Sequence, residues 1–198
     1  MDQQRFDNLL KEFSLVLQSQ DAPILKRLND GIPPEQVKTT FEHRWFPEEV
    51  FQLYNWHDGT DLEEDAVIGE LWMFKAGAFM SSSRAMQCYK RRAGEDDYWD
   101  AYKFPLFESR GGEYYLIDNK KNSTTAGMIF WHSIGAVDFD TIISKYDSLG
   151  TLFETILRCF QQGAYSYNKT TRILEFDFDL ERRITRELNP GSAYWKIV

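Results

Sequence analysis

The sequence predicts a single-domain α+β fold. We expect a central antiparallel sheet of about four to six strands, with N-terminal and C-terminal helices packed mostly on one of its faces. The first third of the chain has apolar residues at helical spacing, the middle changes to short β-rich runs joined by turns, and helical spacing returns after residue 148. With 198 residues, of which 42% are hydrophobic and 16% aromatic, the chain can bury the core of one such domain.

Amphipathic helices are predicted along the first third. A first helix places one apolar face at i, i+3, i+4, i+7 and i+10, formed by Phe6, Leu9, Leu10, Phe13 and Val16. Asp21-Ala22-Pro23 combines a capping residue with an early proline, so a short second helix that includes Leu28 is expected from there to Gly31. Pro33-Pro34 opens a third helix. Pro47 opens a fourth, and Gly59 is expected in a left-handed C-cap just past its end.

Short strands dominate the middle of the chain. They are predicted at Leu71–Phe74, Gly77–Met80, Tyr102–Glu108, Glu113–Asp118 and Ala126–Ser133. A helix, Ser81–Ala93, opens with capping serines and interrupts the sheet. Residues Ser109–Gly112 form a good hairpin turn between two consecutive strands. Successive strands with such short links pair antiparallel.

Helical spacing returns in the last third. After Asp147-Ser148 a strong helix follows, with its apolar face formed by Leu149, Leu152, Phe153, Ile156, Leu157 and Phe160. The tail then holds a predicted strand, Ile173–Phe178, and a last helix, Leu180–Leu188, which Asn189-Pro190-Gly191 ends. We expect Tyr194-Trp195 to fold back onto the body of the protein.

The acidic residues are concentrated in one segment. Nine of the 31 Asp and Glu residues, but only Arg44 of the 23 Lys and Arg residues, lie between Glu42 and Glu70, so this segment accounts for the whole net charge of −8. Such a field repels phosphate backbones and anionic lipids, and it attracts basic partners or cations. We therefore expect a basic protein partner and no binding to nucleic acid or membranes.

The sequence predicts a cytoplasmic protein. Residues 1–4 do not begin a basic region followed by an apolar run, as a secretory signal would. No apolar run reaches the ~18 residues of a membrane helix. Cys88 and Cys159 lie far apart in separate helical patterns, which favours two free buried thiols over a disulfide. The sequence leaves the oligomeric state open.

The histidines form no metal-binding or catalytic motif. His43, His57 and His132 lack metal-ligand spacing, and no cysteine pair lies near them. Ser133, His132 and Asp118 could be drawn as a triad, but adjacent strand residues point to opposite faces of a sheet. His132 is therefore interpreted as a hydrogen-bonded strand residue. We expect no catalysis, no metal and no cofactor.

Two acidic stretches allow more than one interpretation. Asp58–Asp65 clusters carboxylates as a calcium loop does, but its glycine is second rather than sixth, which favours a solvated acidic loop. Glu95–Asp100 embeds Tyr98 and Trp99 among acids, and is either an exposed loop or a protein-binding hot spot. Lys90-Arg91-Arg92 closes a predicted helix, where cations complement the helix dipole.

Phe46–Gly59 resembles the first signature of the SUKH superfamily, which includes the fungal Smi/Knr cell-wall assembly regulators and many bacterial proteins. That signature has a Leu-Pro start, an amphipathic helix, and an aromatic residue or His before Asn-Gly. Here Pro47, Trp56 and Gly59 fit the pattern, and Asp58 stands where Asn is usual. Both residue types tolerate turn geometry.

Further stretches are similar to the family's later motifs, in the family's order. They are Phe104–Phe107, Gly111–Asp118, Gly127–His132 and the residues from Ser148-Leu149 onward. The resemblance covers about residues 33–163 of one SUKH-like domain, with a helical N-terminal extension (1–32) and a C-terminal strand and helix (164–198). Gly112, Asp118 and Trp131 fall on these motifs. Asp118 either satisfies backbone donors in a turn or lines a pocket beside the acidic loop.

The resemblance implies a binding fold with no recognised catalytic set. Bacterial members are commonly immunity proteins that neutralise toxins, often nucleases, and fungal members resemble scaffolds. We expect a toxin-neutralising module whose acidic contact surface comprises Asp58, Asp61, Glu63, Glu64, Asp65, Asp96, Asp97 and Trp99. The alternatives are a regulatory scaffold of the cell-wall assembly type with no toxin partner and, more remotely, a carboxylate-based hydrolase near His57.

Overall fold

The computed structural model describes residues 3–61, 67–93, 100–133 and 142–197. The helices are α1 (Gln3–Ser19), α2 (Pro34–Thr40), α3 (Glu48–Trp56), α4 (Ser82–Arg92), α5 (Leu149–Gln161), α6 (Phe178–Leu188) and α7 (Tyr194–Ile197). The strands are β1 (Leu28–Asp30), β2 (His57–Thr60), β3 (Ala78–Phe79), β4 (Lys103–Glu108), β5 (Glu113–Asp118), β6 (Ile129–Ser133), β7 (Ile143–Tyr146), β8 (Tyr165–Tyr167) and β9 (Leu174–Phe176).

A central antiparallel sheet organises the fold. Within the described ranges it has five strands in the order β3-β4-β5-β6-β7, so the chain lays neighbouring strands down in sequence. Two smaller antiparallel pairs, β1-β2 and β8-β9, lie outside it. This architecture confirms the predicted α+β class.

Aromatic side chains join the helices to one face of the central sheet. Phe153 of α5 contacts Phe13 of α1 at a ring-centroid distance of 5.6 Å and Phe107 of β4 at 6.4 Å. Further along β4, Phe104 lies 4.6 Å from Phe41, which follows α2, and 5.2 Å from Tyr89 of α4. Burial of these large rings supplies much of the apolar area that stabilises the domain.

Most helix predictions from apolar spacing are confirmed. α1 buries the predicted face through Phe6, Leu10 and Phe13, with Leu17 extending it. Ser81 caps α4 by accepting a hydrogen bond from the backbone of Arg84. At α5, Ser148 and Thr151 form a reciprocal capping box.

Two local predictions are wrong because tertiary contacts override local pattern. The expected second helix is a single 3₁₀ turn, Pro23–Lys26, and Leu28 instead begins β1, which pairs with β2. The expected strand Leu71–Phe74 is replaced by a 3₁₀ turn, Ile68–Leu71, and a tight turn in which Phe74 bridges Gly77. The strand predicted at Gly77–Met80 is present but shorter, because β3 has only two residues, Ala78 and Phe79.

Gly59 has the predicted left-handed backbone, but it lies in a strand rather than at the end of a helix. α3 ends at Trp56, and its C-cap residue His57 is extended. No glycine C-cap therefore forms, and Gly59 lies inside β2 with φ of 73°. A Cβ on Gly59 would lie 2.1 Å from the backbone nitrogen of Ser81. Glycine therefore allows β2 to cross directly over the entry to α4.

The C-terminal region follows the prediction with two additions. The strands β7 and β8 were not expected, and β8 pairs with β9, which lies inside the predicted strand Ile173–Phe178. α6 begins two residues earlier than expected. Trp195 is 2% exposed and packs against β7, which confirms that the tail folds back. In the described ranges, no helix has the length and apolarity to span a membrane.

Candidate functional site

Asp58 anchors α4. One carboxylate oxygen, Oδ1, accepts a hydrogen bond of 2.7 Å from the backbone N–H of Ser82, the first residue of that helix. The carbonyl of Asp58 accepts another, of 3.0 Å, from the side chain of Asn29. A carboxylate at a helix N-terminus also interacts favourably with the helix dipole. Asp58 thus lies at the start of the stretch Asp58–Asp65, but its side chain is used within the fold.

Asp61 is the exposed, described member of the expected contact surface. Its backbone N–H donates to the carbonyl of Arg27, at 2.6 Å, while the residue itself is exposed. This bond fixes the point at which the chain leaves β2. The other expected contact residues lie outside the described residues: Glu63, Glu64, Asp65, Asp96, Asp97 and Trp99.

Basic residues from other elements offset part of the acidic segment. Glu42 pairs with Lys90 of α4 at 2.5 Å, and that hydrogen bond lowers the pKa of the Glu42 carboxyl. Glu70 lies 3.7 Å from Arg172, which comes from the turn between β8 and β9. The charge is therefore less concentrated in space than along the sequence.

His57 and Asp58 do not form an acid–base pair. His57 Nδ1 lies 2.7 Å from the carbonyl oxygen of Asn29, and the ring meets Trp56 edge-on at 4.4 Å. The Asp58 carboxylate is held by Ser82, as described above. In the described ranges there is no group of three or more His, Cys, Asp or Glu residues that could hold a metal ion. This geometry gives the hydrolase alternative no support.

The strand register keeps Ser133, His132 and Asp118 from forming a catalytic triad. Ser133 lies opposite Glu113 and His132 opposite Tyr114, at the start of β5. Asp118 lies at the other end of the same strand. His132 is buried, at 5% exposure, as expected for a strand residue.

Asp118 stabilises a turn. It is 1% exposed, and its carboxylate accepts hydrogen bonds from the Thr125 hydroxyl at 2.5 Å and the Lys120 backbone N–H at 2.9 Å. Lys103 Nζ lies 3.3 Å away. Burial alone would raise the pKa of Asp118, but these hydrogen bonds and the lysine charge lower it. Of the two roles considered for Asp118, the geometry supports the structural one.

The remaining motif residues hold the fold. Pro47 is the N-cap of α3, and the Trp56 indole donates to Ser14 of α1 at 3.0 Å. Gly112 has φ of 98° in the β4–β5 turn, which favours glycine. Trp131 of β6 contacts Tyr194 of α7 at a centroid distance of 5.7 Å. These residues fix helix ends, a turn and the tail, rather than lining one cavity.

Sequence reasoning missed a buried lysine. Lys145 of β7 is 4% exposed and surrounded by aromatic rings, one of them Tyr146 and others from the chain's end. Burial lowers the pKa of its ammonium to about 8. The available indication was a single lysine between Ser144 and Tyr146, about 50 residues before the aromatic pair Tyr194-Trp195. A strand of four residues is too short for an alternation of apolar and polar side chains to show that its lysine is buried.

The structure predicts that Asp58 and Asp61 respond differently to substitution. Asp58→Ala removes the charged acceptor at the start of α4 and should lower the free energy of unfolding by about 1–2 kcal/mol. Asp61→Ala removes an exposed side chain and should change it by less than about 0.5 kcal/mol. Urea unfolding followed by circular dichroism measures both. Equal effects of the two variants would contradict the anchoring role of Asp58.

Fold and site together define an α+β protein in which Asp58 of β2, within the acidic segment, holds the N-terminus of α4. No protein-family model matches the chain, and no curated protein matches it.

Proposed function

We propose that this chain is a non-catalytic, cytoplasmic protein-binding module, an immunity protein that neutralises a cognate basic toxin through its acidic surface. The observation that carries this proposal is the localisation of the net charge of −8 to residues 42–70. The exposed position of Asp61, within that segment, supports it. The stretches that resemble the SUKH superfamily lie on α3, β4, β5, β6 and the start of α5, in the family's order.

Charge complementarity supplies the proposed mechanism. An acidic surface accelerates encounter with a basic protein, and the acceleration falls as salt screens the charges. A nuclease toxin is basic where it binds its substrate, so a protein bound there blocks nucleic acid directly. The same negative charge disfavours nucleic acid as the chain's own ligand. Asp96, Asp97 and Trp99 would extend the contact.

A survival assay tests the proposal. The genes beside the one that encodes this chain are searched for a toxin domain. That domain is co-expressed with the chain, and growth is scored against the toxin alone. Restored growth is the expected result, together with a stoichiometric complex of the two purified proteins. If growth is not restored, or if affinity capture instead returns several weak partners, the immunity proposal is wrong and a regulatory scaffold is favoured.

Charge reversal tests the surface. Replacing Asp61, Glu63, Glu64 and Asp65 with lysine should slow association with that toxin by about tenfold or more at low salt, measured by stopped-flow or surface plasmon resonance. Asp58 is left unchanged because it anchors α4. The matched control reverses four exposed acids elsewhere, with the same change in net charge: Glu12, Glu175, Asp179 and Glu187. If both variants slowed association with the toxin equally, the toxin would not bind at the surface around Asp61.

A further inference from the structure

Lys145 is the extra residue of a β-bulge. Ile129 lies opposite Tyr146, and the next residue, Phe130, lies opposite Ser144, so Lys145 has no partner in β6. A bulge can redirect a side chain without ending a strand. Here the lysine side chain lies against Tyr115 of β5, whose ring packs on Phe74 in the core.

An aromatic cage surrounds the ammonium of Lys145. Nζ lies between 4.9 and 6.0 Å from the ring centroids of five described residues, Tyr115, Trp131, Tyr146, Tyr194 and Trp195. It also donates a hydrogen bond of 3.0 Å to the Tyr115 hydroxyl, which itself donates to the carbonyl of Lys75 at 2.9 Å. Cation–π contacts favour the charged form of the lysine, whereas loss of hydration favours the neutral form.

Two of the cage rings belong to a segment that covers the outer edge of β7. We call residues 189–197 the C-terminal strap. The Ser192 hydroxyl donates to the carbonyl of Ser144 at 2.9 Å, and the Trp195 indole donates to the carbonyl of Lys145 at 2.8 Å. The backbone N–H of Ala193 donates to the Ser144 hydroxyl at 3.0 Å. The strap thus covers the strand edge and closes the cage at once.

The charged groups nearest the cage do not neutralise Lys145. Glu181 of α6 and Glu113 of β5 attract its charge, whereas Lys75 repels it. Glu181 is engaged elsewhere, because it accepts a hydrogen bond from Tyr165 at 2.8 Å and lies 4.0 Å from Lys75 Nζ. Among the described residues, no carboxylate lies within ion-pair distance of Lys145. Burial therefore outweighs the favourable contacts, and the pKa of Lys145 falls to about 8.

We propose that the C-terminal strap is a proton-sensitive latch: it docks tightly on β7 when Lys145 is neutral and loosens when Lys145 is protonated. Release of the strap opens one wall of the cage and lets water reach the ammonium. Protons therefore bind the released state more tightly than the docked state, and acidification favours release. The latch is independent of the proposed toxin partner.

The linkage has a defined pH window. The pKa of Lys145 is about 8 when the strap is docked and returns toward its ordinary value of 10.5 on release. Strap docking therefore strengthens as pH rises from 8 toward 10.5 and changes little below 8. Between pH 7.5 and 9.5 we expect the released fraction to fall by about tenfold or more. Burial raises the pKa of Tyr115, Tyr146 and Tyr194, so their ionisation opposes docking only at still higher pH.

Hydrogen exchange on the full chain tests the latch. Protection factors of peptides from residues 190–197, corrected for intrinsic exchange, should rise by about tenfold or more between pH 7.5 and 9.5. Peptides from α5 in the same samples serve as the internal reference and should change little. Unchanged protection of the strap would overturn the proposal. An equal rise in the protection of α5 would also overturn it, because Lys145 would then affect the stability of the whole fold.

Two variants separate the lysine charge from other effects of pH. Lys145→Met keeps an unbranched side chain but has no ionisable group. The strap of this variant should therefore be protected from exchange at both pH values. Lys145→Arg stays charged, so its strap should exchange rapidly at both. A pH response retained in Lys145→Met would contradict the latch even if Lys145→Arg failed to fold.

Discussion

Gly59→Ala is expected to lower the free energy of unfolding by about 3 kcal/mol or more. The added Cβ would lie 2.1 Å from the nitrogen and 2.4 Å from the Cα of Ser81, and backbone atoms at the entry to α4 cannot move aside as a flexible side chain can. The left-handed φ of 73° adds about 1 kcal/mol for alanine. Thermal unfolding followed by circular dichroism should show a midpoint lower by about 6–12 °C.

Gly163→Ala is the matched control for this substitution. Gly163 also has a left-handed backbone, with φ of 79°, but a Cβ there would meet no atom within 4 Å. Only the backbone cost of about 1 kcal/mol is expected. If the two variants lost equal stability, the close crossing of β2 over Ser81 would not be the cause.

Phe153→Ala should destabilise the protein by about 3–5 kcal/mol. The Phe153 side chain is fully buried and contacts rings from α1, α3 and β4: Phe6 at 5.8 Å, Phe13 at 5.6 Å, Trp56 at 6.4 Å and Phe107 at 6.4 Å. Truncation leaves a cavity where these elements meet, and such sites collapse poorly. Urea unfolding measured by intrinsic fluorescence reports the loss.

Phe176→Ala makes the same chemical change at a surface site. Phe176 is 41% exposed and contacts the Lys75 ammonium at 4.8 Å, so its removal should cost less than about 1 kcal/mol. A cost close to that of Phe153→Ala would show that ring size, rather than the junction of helices and sheet, determines the effect.

The sequence predicted most helices and the hairpin strands because their stability rests on local patterns. α1 and α5 each carry an uninterrupted apolar face, and the capping residues Ser81 and Ser148 mark helix starts that the structure confirms. In the β4–β5 hairpin, Ser109–Gly112 supply a turn that fixes which strands pair. Each of these features is contained within about fifteen residues.

Elements that depend on distant partners were missed. β7 has only four residues and is a strand because it pairs with β6. β8 pairs with β9, and β1 exists through its pairing with β2. Gly59 was expected in a left-handed conformation, but the reason for it, the approach of Ser81, lies 22 residues away along the chain. Short strands carry too few residues for their period to be recognised.

The candidate site was predicted less well than the fold. Charge counting located the acidic segment, but it could not show that Asp58 anchors α4 or that Lys90 and Arg172 pair with Glu42 and Glu70. These contacts join elements that are far apart in sequence. They engage the carboxylates in hydrogen bonds and ion pairs within the fold. The six further contact residues named earlier lie outside the described residues, so their role remains a prediction.

The covering of the central sheet at its ends limits how it can associate with other proteins. At β3, the backbone of Gly59 lies against Met80 and Ser81, and at β7 the C-terminal strap binds the outward carbonyls of Ser144 and Lys145. Exposed strand edges are where sheets extend into fibrils or accept a partner's strand. While the strap is docked, a chain approaching β7 finds these two carbonyls already hydrogen-bonded, so it cannot use them to add a strand to the sheet.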